Sequence, residues 1–224
     1  MRKVTDLGLM KRNKILHQAE LVGGNFYHIY NRTVGNEVLF ASSANYRFFL
    51  KQYSTYLHPW VETYAYCLLG NHFHLLIRVR DKAINVDKVV NFPKVDDFNK
   101  SETIPNHEMV SGQFRKFFQS YVMAFNKQQE RHGTLLQTPF KRVKVDSDNY
   151  LTKLIYYIHA NPQAHGLIKD FRQWPWSSYN SLVSSLPTQL ERESVLQLFS
   201  KLEGFEEAHE GYRQVVLEEG LGLE

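Results

Sequence analysis

Residues 25–33, NFYHIYNRT, alternate aromatic and β-branched positions with polar ones, a period-two pattern that predicts a strand. Ser42 and Ser43 offer an N-cap, and ANYRFFLKQYSTYLH then carries apolar residues at helical spacing until Pro59 stops it. Two strand-like runs follow, VETYAYCLL (61–69) and HFHLLIRVR (72–80), joined at Gly70-Asn71, a tight-turn dipeptide. Residues 81–110 are polar and lack a clear period, so a long loop insertion is expected there. A helix is predicted over 112–131, ended by Gly133, then a strand over 140–145. Asp146 or Asp148 can cap a further helix, NYLTKLIYYIHA, which Pro162 closes. The WPWSSY segment (174–179) reads as a turn, and one or two short helices are expected beyond it.

The order strand, helix, strand, strand, helix, strand is that of a ferredoxin-like split βαβ fold. The expectation is therefore an α+β domain over 22–182, with an antiparallel sheet and its two helices on one face. A C-terminal helical extension would occupy 183–224.

Composition changes this picture only in part. With 43% hydrophobic and 22% charged residues the chain is ordinary for a soluble domain. It shows no apolar run of membrane-spanning length, so no membrane is expected as partner. The basic N-terminus lacks the apolar core of a secretory signal, and the single cysteine, Cys67, excludes an internal disulfide; both fit the cytoplasm. The net charge of +4 is unevenly spread. Residues 191–224 hold nine acids and three bases, which leaves 24 bases and 14 acids, a net of +10, for the body. A basic body points to a polyanionic partner. Between Gln113 and Val145 seven cations (Arg115, Lys116, Lys127, Arg131, Lys141, Arg142, Lys144) face one acid, Glu130. With Arg32 and Arg78 on strands, these are candidate phosphate contacts, though a solvated helix face would read the same way.

Two short motifs carry candidate chemistry. In His72-Phe73-His74 both imidazoles fall on one strand face while Phe73 takes the other, half of a divalent-metal site or simply two histidines near a strand end. In Tyr157-Ile158-His159-Ala160-Asn161-Pro162, Tyr157 and Asn161 share a helix face. An Asn amide oxygen suits Mg2+ or Mn2+, and tyrosine is a competent covalent nucleophile. The plain structural alternative makes Asn161 a helix cap and Tyr157 a core residue. Tyr156 points about 100° away round the helix. Tyr121 belongs to a core-like stripe with Phe117, Phe118 and Phe125, and His159 faces away from Tyr157. His28 could face the site across the sheet, but a packed or DNA-contacting histidine is the plainer reading.

Taken together, YHIYNRT, GNHFHLLI, SYVMAFNK, LLQTPFK, YLTKLIYYIHANPQAHGL and WPWSSY resemble the HUH-type transposases with one catalytic tyrosine, above all the REP-associated subgroup. The resemblance covers about residues 22–182. It implies that His72, His74 and Asn161 bind a divalent metal, Mg2+ or Mn2+, and that Tyr157 is the nucleophile. It implies cleavage and rejoining of single-stranded, hairpin-bearing DNA through a 5′-phosphotyrosine, by a monomer or a homodimer. One departure stands out. Where many relatives read Gln-Gly-Arg-Phe, this chain has Gln137-Thr138-Pro139-Phe140, so the usual arginine is absent there, which touches no proposed catalytic group. Two rival functions remain at this level: a domesticated nucleic-acid-binding protein, and a metal-dependent phosphodiesterase that uses water.

Overall fold

The computed structural model describes residues 17–35, 37–84 and 104–219. The basic N-terminus and most of the 81–110 insertion lie outside these residues. Four antiparallel strands, β1 (Phe26–Arg32), β2 (Val61–Leu68), β3 (His72–Val79) and β4 (Lys141–Val145), form one sheet in the order β2-β3-β1-β4. That is the ferredoxin-like order the sequence predicts. Both sheet edges are covered, which blocks edge-to-edge pairing. Residues 17–19 hydrogen-bond to Arg142 on β4, while Trp176 and Ser178 bond to Leu68 and Tyr66 on β2.

Strand alternation sorts the side chains onto two faces. Tyr27, Ile29, Phe73, Leu75 and Ile77 face α1 (Ser43–Leu57) and α2 (His107–Gln128), the two helices of the expected layer. There Phe49 meets Phe73, Phe117 and Tyr121 at ring distances near 5 Å. The other face carries Ala65, Cys67 and Leu76 against Leu151, Leu154, Ile155 and Ile158 of α3 (Asp148–Ala164). α4 (Tyr179–Val183), α5 (Arg192–Gln197) and α6 (Leu202–Glu219) extend this second layer through Leu182, Val195 and Phe205. No helix among the described residues is long and apolar enough to cross a membrane.

Several helix limits differ from the sequence pattern for identifiable reasons. α2 starts at His107 because the Asn106 side chain accepts from the Met109 N–H at 2.9 Å, five residues before the predicted start. It ends at Gln128, not at Gly133. Ser147, not an aspartate, caps α3 by accepting from the Tyr150 N–H. Pro162 does not close α3 but sits in its last turn. Leu167 N–H reaches the Pro162 carbonyl and Gly166 N–H the Gln163 carbonyl, with Gly166 at φ 68°. This is a Schellman end, and glycine is what the left-handed turn requires. Asn161 is thereby kept on an intact helix. The tail holds a helix of 18 residues, α6, longer than the short helices expected.

A chain of polar contacts docks α3. His209 Nδ1 lies 2.7 Å from the Phe205 carbonyl, which can only accept, so the proton is on Nδ1. Neutral His209 then accepts from His159 Nδ1–H at 2.8 Å, and His159 Nε2 accepts from the Ser178 hydroxyl at 2.7 Å. Ser178 Oγ in turn accepts from the Tyr66 N–H of β2 at 2.8 Å. Burial holds His159 well below the usual imidazole range and lowers His209 to about 4. Both are neutral when folded, whereas the unfolded chain takes up protons near pH 6.5. This stability is complete above pH 6.5 and is lost as the pH falls through about 4. Urea denaturation should show His209 contributing on the order of 2 kcal/mol to the stability lost between pH 7.5 and pH 5. His209→Gln should narrow that loss measurably.

Candidate active site

The site is built where β3 and β1 face α3. Opposite His74 on β1 stands Tyr30, and opposite His72 stands Arg32. Phe73 points to the other face and is fully buried against Phe49 and Phe118, as the alternation requires. His72 and His74 approach edge to face with centroids 5.3 Å apart. From α3, the Tyr157 ring stands over His74 at 5.4 Å and His28 at 6.1 Å. Asn161, one turn later, is 2% exposed, and its Nδ2 donates to the Tyr157 carbonyl at 2.8 Å. Asn161 also lies against the His72 imidazole and the Tyr157 phenol, raising proton affinity at the first and lowering it at the second. Its buried Oδ1 nevertheless accepts no hydrogen bond of normal geometry. An orphaned buried carbonyl is costly unless something else fills it.

The imidazoles are set up as neutral donors of a lone pair. Burial, together with the neighbouring His165 and Arg32, lowers His72 to about 4, with Asn161 opposing. Burial, then His28, His72 and His165, holds His74 well below its usual range. Among the described residues no three His, Cys, Asp or Glu side chains form a metal-holding group. A cation here would therefore take two imidazole nitrogens and the Asn161 oxygen. That mixed set suits a divalent ion such as Mn2+ or Mg2+, and the unpartnered Oδ1 is the observation in its favour. Burial also raises the Tyr157 phenol above its ordinary value, so it carries its proton at neutral pH.

Tyr156 and Tyr121, the two tyrosines weighed against Tyr157 in the sequence, do not share this setting. Tyr156 packs on Phe199, His209 and Tyr212, facing the C-terminal helices. Tyr121 is fully buried and donates to the Leu39 carbonyl. Ser178, His159 and His209 line up like a nucleophile with its base, but Ser178 and His159 are fully buried, so the alignment is structural.

No family model matches the chain. A Haemophilus influenzae (strain ATCC 51907 / DSM 11121 / KW20 / Rd) protein, provisionally named a REP-associated tyrosine transposase, is 27% identical over 119 residues. The match takes in 53% of this chain and spans only 59% of that relative's length. A solved REP-associated tyrosine transposase, itself bound to a REP hairpin, shares the fold with a TM-score of 0.51 and 15% identity. The overlap is 76% of this chain and 87% of that one. In sequence and in fold, the chain is similar to the REP-associated tyrosine transposases.

Against that transposase fold, the nine candidate phosphate-binding cations scatter. Arg32, exposed at the end of β1, is near enough to His72 to perturb it, and Lys141 lies 5.5 Å over the Tyr30 ring. These two border the histidines. Arg78 does not: it lies about 20 Å along β3 from His72 by strand rise, paired with Glu62 at 3.1 Å and Asp81 at 2.7 Å. Arg131 pairs with Glu37 at 2.6 Å, and Lys144 with Asp146 at 3.5 Å. Arg142 is 8% exposed and donates to the Ala19 carbonyl. With exposed Arg115 it lines a groove of about 710 Å3 on the α2 side, next to Phe140 and Pro139. Lys116 and Lys127 are exposed on α2.

Tyr30 and His165 escape a reading by motif, and His28, left open in the sequence between site and packing, joins them at the site. His28 Nε2 lies 2.9 Å from His74 Nδ1; Tyr30 stacks on both rings, at 4.7 and 5.7 Å; His165 sits 5.0 Å from His72. The period-two pair His28 and Tyr30 on β1 was the available signal. Asn161→Ala should cost about 1 kcal/mol in urea denaturation, since the well-formed hydrogen bond lost is that from Nδ2 to the Tyr157 carbonyl. A cost above about 3 kcal/mol would mean that Oδ1 is a structural acceptor after all.

Proposed function

We propose that this chain is an HUH-type tyrosine transposase that cleaves and rejoins single-stranded, hairpin-bearing DNA. The observation that carries the proposal is Tyr157 poised over His74, one helical turn before an amide oxygen that has no protein partner. The relatives named as tyrosine transposases, one of them bound to a REP hairpin, supply the substrate class.

In this reading Tyr157 Oη attacks the scissile phosphorus. The phosphorus–O3′ bond breaks, leaving a 5′-phosphotyrosine and a 3′-hydroxyl. The phenol loses one proton and the departing oxygen gains one. A second 3′-hydroxyl reverses the step and joins new ends, so the phosphodiester energy is kept and no nucleotide cofactor is needed. His72, His74 and Asn161 would hold a divalent metal, which when bound polarises the scissile phosphate. The chain's own work is orientation: β3 fixes the imidazoles and α3 fixes the phenol. Arg32 and Lys141, bordering the histidines, would take the flanking phosphates, and Arg115, Lys116 and Lys127 more distant ones.

α3 packs on its own chain's sheet, so one chain holds the complete group and a monomer is the proposed acting unit. A ready tyrosine supports the covalent route over a phosphodiesterase that uses water. DNA as substrate and the buried thiol of Cys67 fit action in the cytoplasm.

Labelled hairpin-bearing single-stranded DNA mixed with protein and Mn2+ should give a covalent adduct on a denaturing gel. Chelation or Tyr157→Phe should abolish it, and His72→Ala should reduce it at least tenfold. Persistence of the adduct in Tyr157→Phe would refute the assignment of the nucleophile. Tight DNA binding with no adduct across many hairpins would favour a domesticated binding protein.

A further inference from the structure

We infer that His28 is a positioning residue for His74, holding that imidazole in the one tautomer whose Nε2 lone pair can reach a metal. The inference rests on the proposed metal centre and extends it to a residue outside the His72-Phe73-His74 motif.

His28 and His74 are 7% and 6% exposed, and His28 Nε2 lies 2.9 Å from His74 Nδ1. Two ring nitrogens at that distance, shut away from water, form one hydrogen bond in which one carries the proton and the other accepts it. A neutral imidazole has one N–H, so if Nδ1 of His74 holds it, Nε2 is free to ligate. The opposite assignment, with the proton on His28 Nε2, would put the His74 proton on Nε2 and block the site. Tyr30 decides how far the pair can move. It stacks on His28 at 4.7 Å and on His74 at 5.7 Å, and its hydroxyl is anchored 2.9 Å from His17 Nδ1. The two rings are nearly parallel to each other, 24° between planes, and Tyr157 meets both edge to face. The β1–β3 register makes them diagonal neighbours on one face, His28 paired with Leu76 and His74 with Tyr30. His72 is served differently, by Asn71 Oδ1 at 2.7 Å from its Nδ1. An amide oxygen only accepts, so His72 Nδ1 carries the proton and its Nε2 is left free. His28 supplies for His74 what Asn71 supplies for His72, an acceptor behind Nδ1. Groups that accept from a ligand's far nitrogen set its ring plane and basicity, and losing one costs about 10–100-fold in metal affinity.

The test titrates full-length protein with Mn2+ alone, reading free Mn2+ by electron paramagnetic resonance. His28→Phe keeps a stacking ring on Tyr30 and removes the acceptor, while in His28→Gln the amide oxygen can replace Nε2. The Mn2+ Kd should rise about 10–100-fold in His28→Phe and stay within a few-fold of wild type in His28→Gln. Equal Mn2+ affinity in wild type and folded His28→Phe would overturn the role of His28 and leave the centre standing. A wild type that binds no Mn2+ would overturn the centre itself, and the role of His28 with it. Should His28→Phe fail to fold, wild-type protein still decides. Long-range 1H–15N correlation of metal-free protein should show His74 protonated on Nδ1, and an Nε2-protonated His74 would overturn the inference.

Discussion

The docking of α3 on the second face of the sheet is the constraint on which the rest depends. Tyr157 and Asn161 ride on this helix, whereas the two histidines ride on β3, so nothing in the local chain brings them together. Apolar packing of Leu151, Leu154, Ile155 and Ile158 supplies the attraction. Packing alone would tolerate a slide or a rotation. The hydrogen-bonded line from Tyr66 through Ser178, His159 and His209 to the Phe205 carbonyl removes that freedom, because each neutral imidazole has one donor and one acceptor and both are used. The C-terminal helices therefore belong to the mechanics of the site although they contribute no group to it.

The site combines two costly features. Buried histidines are kept neutral by desolvation, and an amide oxygen is left without a partner. Each unpaired buried polar group costs free energy, so an orphaned oxygen beside buried imidazoles is a cost that calls for a return. The orphaned Asn161 oxygen beside Tyr157 is what separates this cluster from the His159–His209 pair, whose imidazoles are neutral through burial as well. There every nitrogen is satisfied and the chemistry ends.

The distribution of charge illustrates why a count of cations overstates a surface. Of the stretch between Gln113 and Val145, Arg131 and Lys144 pair with acids, and Arg142 is turned inward onto backbone carbonyls. Glu37, the partner of Arg131, is remote in sequence, so the sequence window could not show the neutralisation. Arg78 fails as a neighbour of the site for a geometric reason. It shares strand and face with His72 and His74, but the extended chain carries it to the other end of the sheet.

Much was legible in the sequence by itself. Period two placed His72 and His74 on one face and Phe73 on the other; helical period placed Tyr157 and Asn161 together; the order of elements implied the sheet. These are local rules, obeyed because backbone geometry repeats over a few residues. The Gly166 signal that keeps Asn161 inside α3 was also present, but Pro162 is the stronger local breaker and masked it. Only the tertiary structure decided that α3 takes the face opposite α1 and α2, that His28 meets His74 and that Arg78 is spent on Glu62 of the neighbouring strand. Those outcomes depend on strand register and on which face each helix buries. Both are settled by contacts between residues far apart in the chain, which no local pattern encodes.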